Sequence, residues 1–553
     1  MKTKLEFLYG KAQAEKVYPE LLELIEDYRA KIILDKADYN LSEKDVFLIT
    51  YGDQVFDNEN KSLKVLKQFL DQELKEVINS VHILPFYPYS SDDGFSVIDY
   101  KEVDSAIGDW DDIRAISSDY RLMADGVINH ISAKSQWLKA CLEGDLEYKD
   151  FFIDVDPELD LSLVTRPRAL PLLTQFDDKW LWSTFSEDQL DLNFANPKVL
   201  LKVLDVLFFY LSQGAKTIRL DAIAYLWKEI GTNCIHLEQT HVVVKLMRQA
   251  LQSLVKDFII ITETNVPHAE NVSYFGQGDE AQMVYQFSLP PLIAHALLRE
   301  NTKYLSTWAK NLELPLHKCT YFNFTASHDG IGMRPLEGIL DQKEINWFAD
   351  RAKNKQGFVS YKTNTDGTKS PYELNVNFYS LLSNDNEAES IRRFLLSQAV
   401  MLVMPGVPAI YFHSIVGSVN DSAGVKETGR NRSINREKLE YETLLKELKT
   451  NERRNKVLNI YRDMLKVRTA NPEFSPYAGF EVIEQNEALF IVKRSTESSC
   501  IFAVFNLTGK EQVCDLPAEV QGAEVIFELG DVKVRGEGKS FSLGKYSFVW
   551  LYA

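Results

Sequence analysis

From Val46 onward the chain alternates short apolar runs, rich in β-branched and aromatic residues, with longer segments whose apolar positions recur every three to four residues. The runs are VFLIT (46–50), VHILPFY (81–87), LMADGVI (122–128), TIRLDAI (217–223), FIIITET (258–264), MVYQFSL (283–289), CTYFNFTA (319–326) and AIYFHSI (409–415). Parallel strands covered on both faces read as near-continuous apolar runs, and the helical segments between them supply the crossovers. Eight strand–helix units predict an α/β fold, a (β/α)8 TIM barrel, over residues 46–471.

Other stretches depart from this rhythm. Up to residue 45, Leu21, Leu22, Ile25 and Tyr28 fall at three- and four-residue steps, which predicts an N-terminal helical extension over 1–45. Two connections are too long for ordinary barrel loops: about 132–193, carrying YKDFFIDV and WLWSTF, and about 330–382, carrying the turn-rich KTNTDGTKSPYE. They predict an inserted B domain and a B′ insertion. Both follow strand C-termini, the face on which such barrels build active sites. After Pro472 the pattern becomes GFEVIEQ, ALFIVKR, CIFAVFNL, AEVIFEL and SFVWLYA, with no long helical period, and predicts an antiparallel β domain over 472–553.

Composition narrows the function classes. With 45% hydrophobic and 26% charged residues, the 553-residue chain is neither disordered nor fibrous. Its 62 basic against 80 acidic residues give a net charge of −18, a field that repels phosphate backbones, so no nucleic-acid partner is expected. Cys141, Cys234, Cys319, Cys500 and Cys514 are scattered, odd in number and free of any C-x-x-C pair, the usage of a reduced cytoplasmic protein without a disulfide framework or zinc site. The first twenty residues hold no signal-peptide pattern. The most apolar stretch, FLLSQAVMLVMPGVPAIYF (394–412), is interrupted by Ser397, Gln398, Pro405 and Pro408, and reads as a buried helix, a Pro-Gly turn and a strand rather than a membrane span.

The candidate chemistry lies at the ends of the apolar runs. Asp221, Glu263 and Asp329 sit at or just past the ends of the fourth, fifth and seventh runs, so a barrel would bring all three into one cleft. Any one alone reads more readily as a structural carboxylate or helix N-cap, and three in register reverse that reading. Crowded carboxylates shift one another's pKa values apart, which leaves one ionised and another protonated near neutrality, the division of labour that retaining glycosidic cleavage requires. Arg219, two residues before Asp221, points to the same side of its strand and either holds that acid ionised or forms a purely structural pair. Asp125, Asn129, His130 and His328 join the cluster, as sugar-hydroxyl ligands or as core and cap residues. No H-E-x-x-H or comparable spacing points to a metal.

Taken together, DGVINH (125–130), IRLDAIAY (218–225), ITETN (261–265) and ASHDG (326–330) resemble, in order, the four regions of the α-amylase superfamily, glycoside hydrolase family 13. LITYGDQ (48–54), VHILPFYPYSSDDGFSVIDY (81–100), RPRALP (166–171), LPPL (289–292), PGVPAIY (405–411) and NRSINR (431–436) look like the sucrose phosphorylase branch. TETNVPHAENVSYFG, VTRPRALPLL, GTNCIHLEQTH and MVYQFSLPPL are more similar to its glucosylglycerate phosphorylases. Gly52 and Gly126 stand where the family carries bulkier residues, a loosening of local packing.

The resemblance implies Asp221 as nucleophile, Glu263 as general acid/base and Asp329 as transition-state stabiliser. It implies Asp92, His130, His328 and Arg432 as ligands of the glucosyl unit, and Phe95 and Tyr225 as an apolar wall. Arg168 is implied near the phosphate, and Glu373 stands where sucrose enzymes carry Gln. The implied reaction is phosphorolysis of 2-O-α-D-glucosylglycerate to α-D-glucose 1-phosphate and D-glycerate. Alternatives are sucrose or glucosylglycerol phosphorolysis, α-glucoside hydrolysis, and a non-catalytic amylase-like interaction subunit. No cofactor or metal is implied; Asn129, which matches a calcium ligand of amylases, is expected to make hydrogen bonds instead.

Overall fold

The computed structural model describes residues 1–32, 39–168, 171–315, 318–363, 368–535 and 539–553. Parts of the N-terminal extension, of RPRALP (Ala169 and Leu170) and of KTNTDGTKSPYE (364–367) therefore lie outside the described residues.

Eight parallel strands close into a barrel: β1 (Phe47–Thr50), β2 (Ser80–Ile83), β3 (Arg121–Gly126), β4 (Ala215–Leu220), β5 (Ile259–Thr262), β6 (Met283–Tyr285), β7 (Thr320–Asn323) and β8 (Val407–Tyr411). Each overlaps one of the eight apolar runs, four of them starting one or two residues earlier, and the closure pairs β1 with both β2 and β8. On β4 the alternation separates two worlds. Ile218 and Leu220 join the apolar core, while Arg219 lies in register with Asp125 on β3, a cross-strand pair of opposite charge. Gly126, also on β3, is tightly packed rather than loose: a Cβ there would stand 3.1 Å from Ile218 Cγ2, and one at Gly52 would stand 3.0 Å from Ile107 Cδ1.

The N-terminal helices α1 (Lys2–Tyr9) and α2 (Lys11–Arg29) pack on two barrel helices, α3 (Pro197–Ser212) and α4 (Glu238–Leu254). Leu5, Val17, Leu21, Ile25 and Tyr28 are buried in the same core as the barrel, and Tyr28 donates to Asp205 Oδ1 at 2.8 Å. Leu22, read from its spacing as part of that stripe, is exposed. It stands one residue round the helix from Leu21, about 100° off the buried stripe.

The connection after β3 forms two small antiparallel pairs, His130–Ser132 with Gln189–Asp191 and the hairpin of Leu173–Phe176 with Lys179–Trp182. The connection after β7 forms a three-stranded sheet of Ile331–Gly332, Lys369–Asn375 and Phe358–Thr363, beside the helix Gln342–Asn354. The apolar stretch 394–412 contains a helix ending at Val403 and β8, and no helix among the described residues is long and apolar enough to cross a membrane.

The five C-terminal runs form one antiparallel sheet, ordered Gly479–Val482, Leu489–Ser495, Cys500–Asn506, Phe548–Tyr552 and Glu524–Leu529. A second sheet, of Gln512–Asp515, Ser540–Leu543 and Val532–Arg535, is not evident from the sequence pattern. Period two explains how the first sheet is covered on both sides. Leu489, Ile491, Phe502 and Val504 pack with Phe541 and Leu543 of the second sheet, whereas Phe490, Val492, Ala503 and Phe505 join the barrel core.

Candidate active site

Asp221 and Glu263 directly follow β4 and β5, and Asp329 lies in the loop beyond the end of β7, all on the C-terminal side of the barrel. Asp221 N donates to Gly126 O at 3.2 Å, and Glu263 N to Leu220 O at 3.1 Å, so each carboxylate leaves its strand one residue after the ladder ends. They line the floor of a pocket open to solvent. Of the residues singled out in the sequence, Asp92, Phe95, His130, Arg168, Tyr225, His328, Glu373 and Arg432 also line it. Arg219 does not. It stands behind the floor with its guanidinium buried, Nη1 on Asp221 Oδ1 at 2.8 Å and on Asp125 Oδ1, and Nη2 3.7 Å from Glu263 Oε2. One cation thus bridges the acids at the ends of β4 and β5.

The carboxylates are held in different protonation regimes. Burial raises the Glu263 carboxyl, and the neighbouring Asp221 and Asp329 charges add to it, pushing it up to about 8 despite Arg219. Its Oε2 accepts a hydrogen bond from Ala222 N at 3.1 Å. Burial also raises Asp221, against the pull of Arg219 and His130. Asp329 goes the other way: burial opposes its charge, but Arg432, with Nη1 2.8 Å from Oδ1, and Arg436 beyond it hold it far below the usual carboxylate range. Below about pH 8, Glu263 carries a proton while Asp329 is ionised.

Around this floor the side chains suit a pyranose ring. Phe95 and His328 stack with centroids 4.8 Å apart and planes 3° apart. Burial pushes the His328 imidazole down to about 3, so it is neutral, and its Nδ1 has no hydrogen-bond partner among the described residues. His130 Nε2 lies 2.9 Å from Phe95 O, and Phe185 meets the Tyr225 ring edge-on at 5.5 Å. Asp92 lies 3.5 Å from Arg168 and 3.7 Å from Arg432. Glu373, expected towards the acceptor, is bound to Arg432 by a bidentate pair, Oε1 to Nε at 3.1 Å and Oε2 to Nη2 at 2.7 Å.

The sequence pattern did not single out Phe185, Gln189, Asn265, Phe287 and Tyr372, which also line the cavity from the insertions and strand ends. It also missed Lys228. Its buried ammonium lies 2.9 Å from Asn129 Oδ1 and 2.5 Å from Asp191 Oδ2, so Asn129 is hydrogen-bonded to a cationic side chain where an amylase would place calcium. Burial lowers Lys228 from its ordinary value even with Asp191 beside it. No group of three or more potential metal ligands occurs among the described residues.

Residues 70–330 match the family described as alpha amylase, catalytic domain. Over 100% of its length the chain is 46% identical to the glucosylglycerate phosphorylase of Spirochaeta thermophila, covering 98% of that protein. It is 43% identical over 99% of its length to the glucosylglycerate phosphorylase of Escherichia coli, again covering 98%. Among solved structures, sucrose 6F-phosphate phosphorylase from Thermoanaerobacter thermosaccharolyticum shares the fold, with a TM-score of 0.74 and 24% identity over 84% of this chain and 94% of that one.

Proposed function

The chain belongs to the α-amylase family, in its glucosylglycerate phosphorylase group, and from this premise we propose that it cleaves 2-O-α-D-glucosylglycerate with inorganic phosphate to α-D-glucose 1-phosphate and D-glycerate. The observation that carries the chemistry is the divided protonation of the acids on one cavity floor. Asp221 attacks the anomeric carbon and breaks its bond to the glycerate oxygen, which takes the proton of Glu263. The product is a β-glucosyl ester of Asp221. Esterification removes the Asp221 charge that helps keep Glu263 protonated, so the Glu263 pKa falls and the same group becomes a base. Phosphate then gives a proton to Glu263 and attacks the anomeric carbon, releasing the Asp221 carboxylate and α-D-glucose 1-phosphate with overall retention.

Asp329, ionised beside Arg432, is placed to bind ring hydroxyls more tightly as the ring flattens. The Phe95–His328 stack and Tyr225 supply an apolar wall against the oxocarbenium-like centre. Arg168, partly exposed at the cavity, is suited to receive phosphate, and the guanidinium fork matches a phosphate edge. The five cysteines, scattered and with no C-x-x-C pair, suit the reduced environment of the cytoplasm. The test is reverse synthesis: enzyme and α-D-glucose 1-phosphate are screened against D-glycerate, D-fructose and glycerol for acceptor-dependent phosphate release. Release with D-glycerate above the others is expected; preference for fructose or glycerol replaces the acceptor, and the absence of any acceptor-dependent release refutes phosphorolysis.

A further inference from the structure

The catalytic cavity opens into a second, solvent-facing pocket that shares Asp92, Arg168, Gln189, Tyr372, Glu373 and Arg432 with it. Arg430 and Arg436 bring the arginines on its wall to four, in a chain whose net charge is −18. Their charges are not equally committed. Arg432 holds Asp329 at 2.8 Å and Glu373 at 2.7 Å, while Arg436 pairs with Asp93 and donates from Nε to His328 O at 2.9 Å. Among the described residues Arg168 and Arg430 each make one long ion pair, Arg168 Nη2 to Asp92 Oδ2 at 3.5 Å and Arg430 Nη1 to Asp93 Oδ1 at 3.3 Å, and the Arg168 guanidinium also lies 5.8 Å from the Phe185 ring centroid. Their side chains are 32% and 49% exposed, against 22% and 4% for Arg432 and Arg436.

The two loosely held arginines come from different segments, Arg168 from the insertion after β3 and Arg430 from the turn after the helix Ser422–Thr428. Two consecutive carboxylates hold them. Asp92 and Asp93 are both left-handed, at φ 54° and 50°, a conformation that non-glycine residues adopt at a cost and that persists where the surroundings enforce it.

We propose that Arg430 and Arg168 form one anion seat, filled in turn by inorganic phosphate and by the carboxylate of the acceptor, and that Arg430 selects a carboxylate-bearing acceptor over a neutral polyol. The proposal rests on the phosphorolytic double displacement above, in which glycerate leaves before phosphate enters, so one seat serves both anions. Guanidinium forks match carboxylate and phosphate edges alike. Long, half-exposed pairs such as those to Asp92 and Asp93 contribute little in water, so an incoming anion displaces them readily.

Arg430→Ala and Arg430→Lys test this by initial rates in both directions. For Arg430→Ala, the KM values for phosphate and for D-glycerate should both rise about tenfold to a hundredfold, the loss of one charge-assisted contact. The KM for p-nitrophenyl α-D-glucoside, neutral on its leaving side, should move far less. Arg430→Lys should recover more of the phosphate effect than of the glycerate effect, because it keeps the charge and loses the fork. An unchanged KM for either anion overturns the proposal, as does an equal rise for the neutral glucoside; an unaltered melting temperature shows that the fold is intact. If the wild-type enzyme does not prefer D-glycerate, the acceptor named under the proposed function falls, and the part of this inference about carboxylate selection falls with it. The phosphate KM of Arg430→Ala still decides whether the residue holds an anion.

Discussion

Removing the Lys228 ammonium should destabilise the junction between the barrel and its first insertion by about 3–5 kcal/mol, the cost of leaving a buried charge without its partner. Lys228→Met keeps most of the side-chain volume and takes away only the cation. Asp191 would retain donors from Thr184 N at 2.8 Å, Thr184 Oγ1 at 2.7 Å and Asn129 Nδ2 at 3.1 Å, which points to the lower end of that range. At roughly 2.1 cal/mol/K per residue, a cooperative unit of several hundred residues responds by about 1 °C per kcal/mol, so the melting temperature should fall by about 3–5 °C. Scanning fluorimetry at one scan rate, paired with the half-life of activity at a fixed temperature, measures it in a protein large enough to unfold irreversibly. Adding Asp191→Asn removes the orphaned charge, so the double variant should be more stable than the sum of the two single effects. The sugar site should feel the change as well, because Asn129 Nδ2 lies 3.3 Å from His130 Nδ1 and His130 lines the cavity. A shift below 1 °C for Lys228→Met, or strictly additive single effects, would refute the claim that this ammonium holds the junction.

Three further predictions address the chemistry. Asp221→Asn should abolish turnover with the melting temperature preserved, and near-normal phosphorolysis would remove Asp221 as nucleophile. Phosphorolysis should fall as pH rises through about 8, where Glu263 loses the proton it must donate; Glu263→Gln should lose about 10²–10⁴-fold in rate, and a donor with an activated leaving group that needs no proton should restore the first step. Arg168→Ala should raise the KM for phosphate far more than it slows hydrolysis of a neutral glucoside, while equal losses would assign Arg168 to loop support.

How much of this was legible in the sequence follows from how each contact is made. The barrel strands were legible because burial on both faces writes itself as a continuous apolar run, and Asp221, Glu263 and Asp329 because each sits at the end of such a run or a few residues past it. The second C-terminal sheet was not: Gln512–Asp515 buries only Cys514 and Val532–Arg535 buries no residue, leaving Val513 and Val534 exposed, so their apolar signal is thin. Contacts that span long stretches of chain were equally silent. Glu373 and Arg432 are 59 residues apart and Arg436 and Asp93 are 343 apart, and no local pattern encodes either pair. Lys228 carried no signal because a lysine after a strand reads as solvated until the fold buries it against Asp191.

The most direct test of the phosphorolytic assignment is phosphorus NMR of the enzyme with 2-O-α-D-glucosylglycerate and inorganic phosphate, with D-glycerate assayed in the same tube. The account predicts α-D-glucose 1-phosphate and D-glycerate in equal amounts, with no β anomer. Free glucose formed at the same rate with and without phosphate would contradict the phosphorolytic assignment, and β-D-glucose 1-phosphate would contradict the double displacement through Asp221.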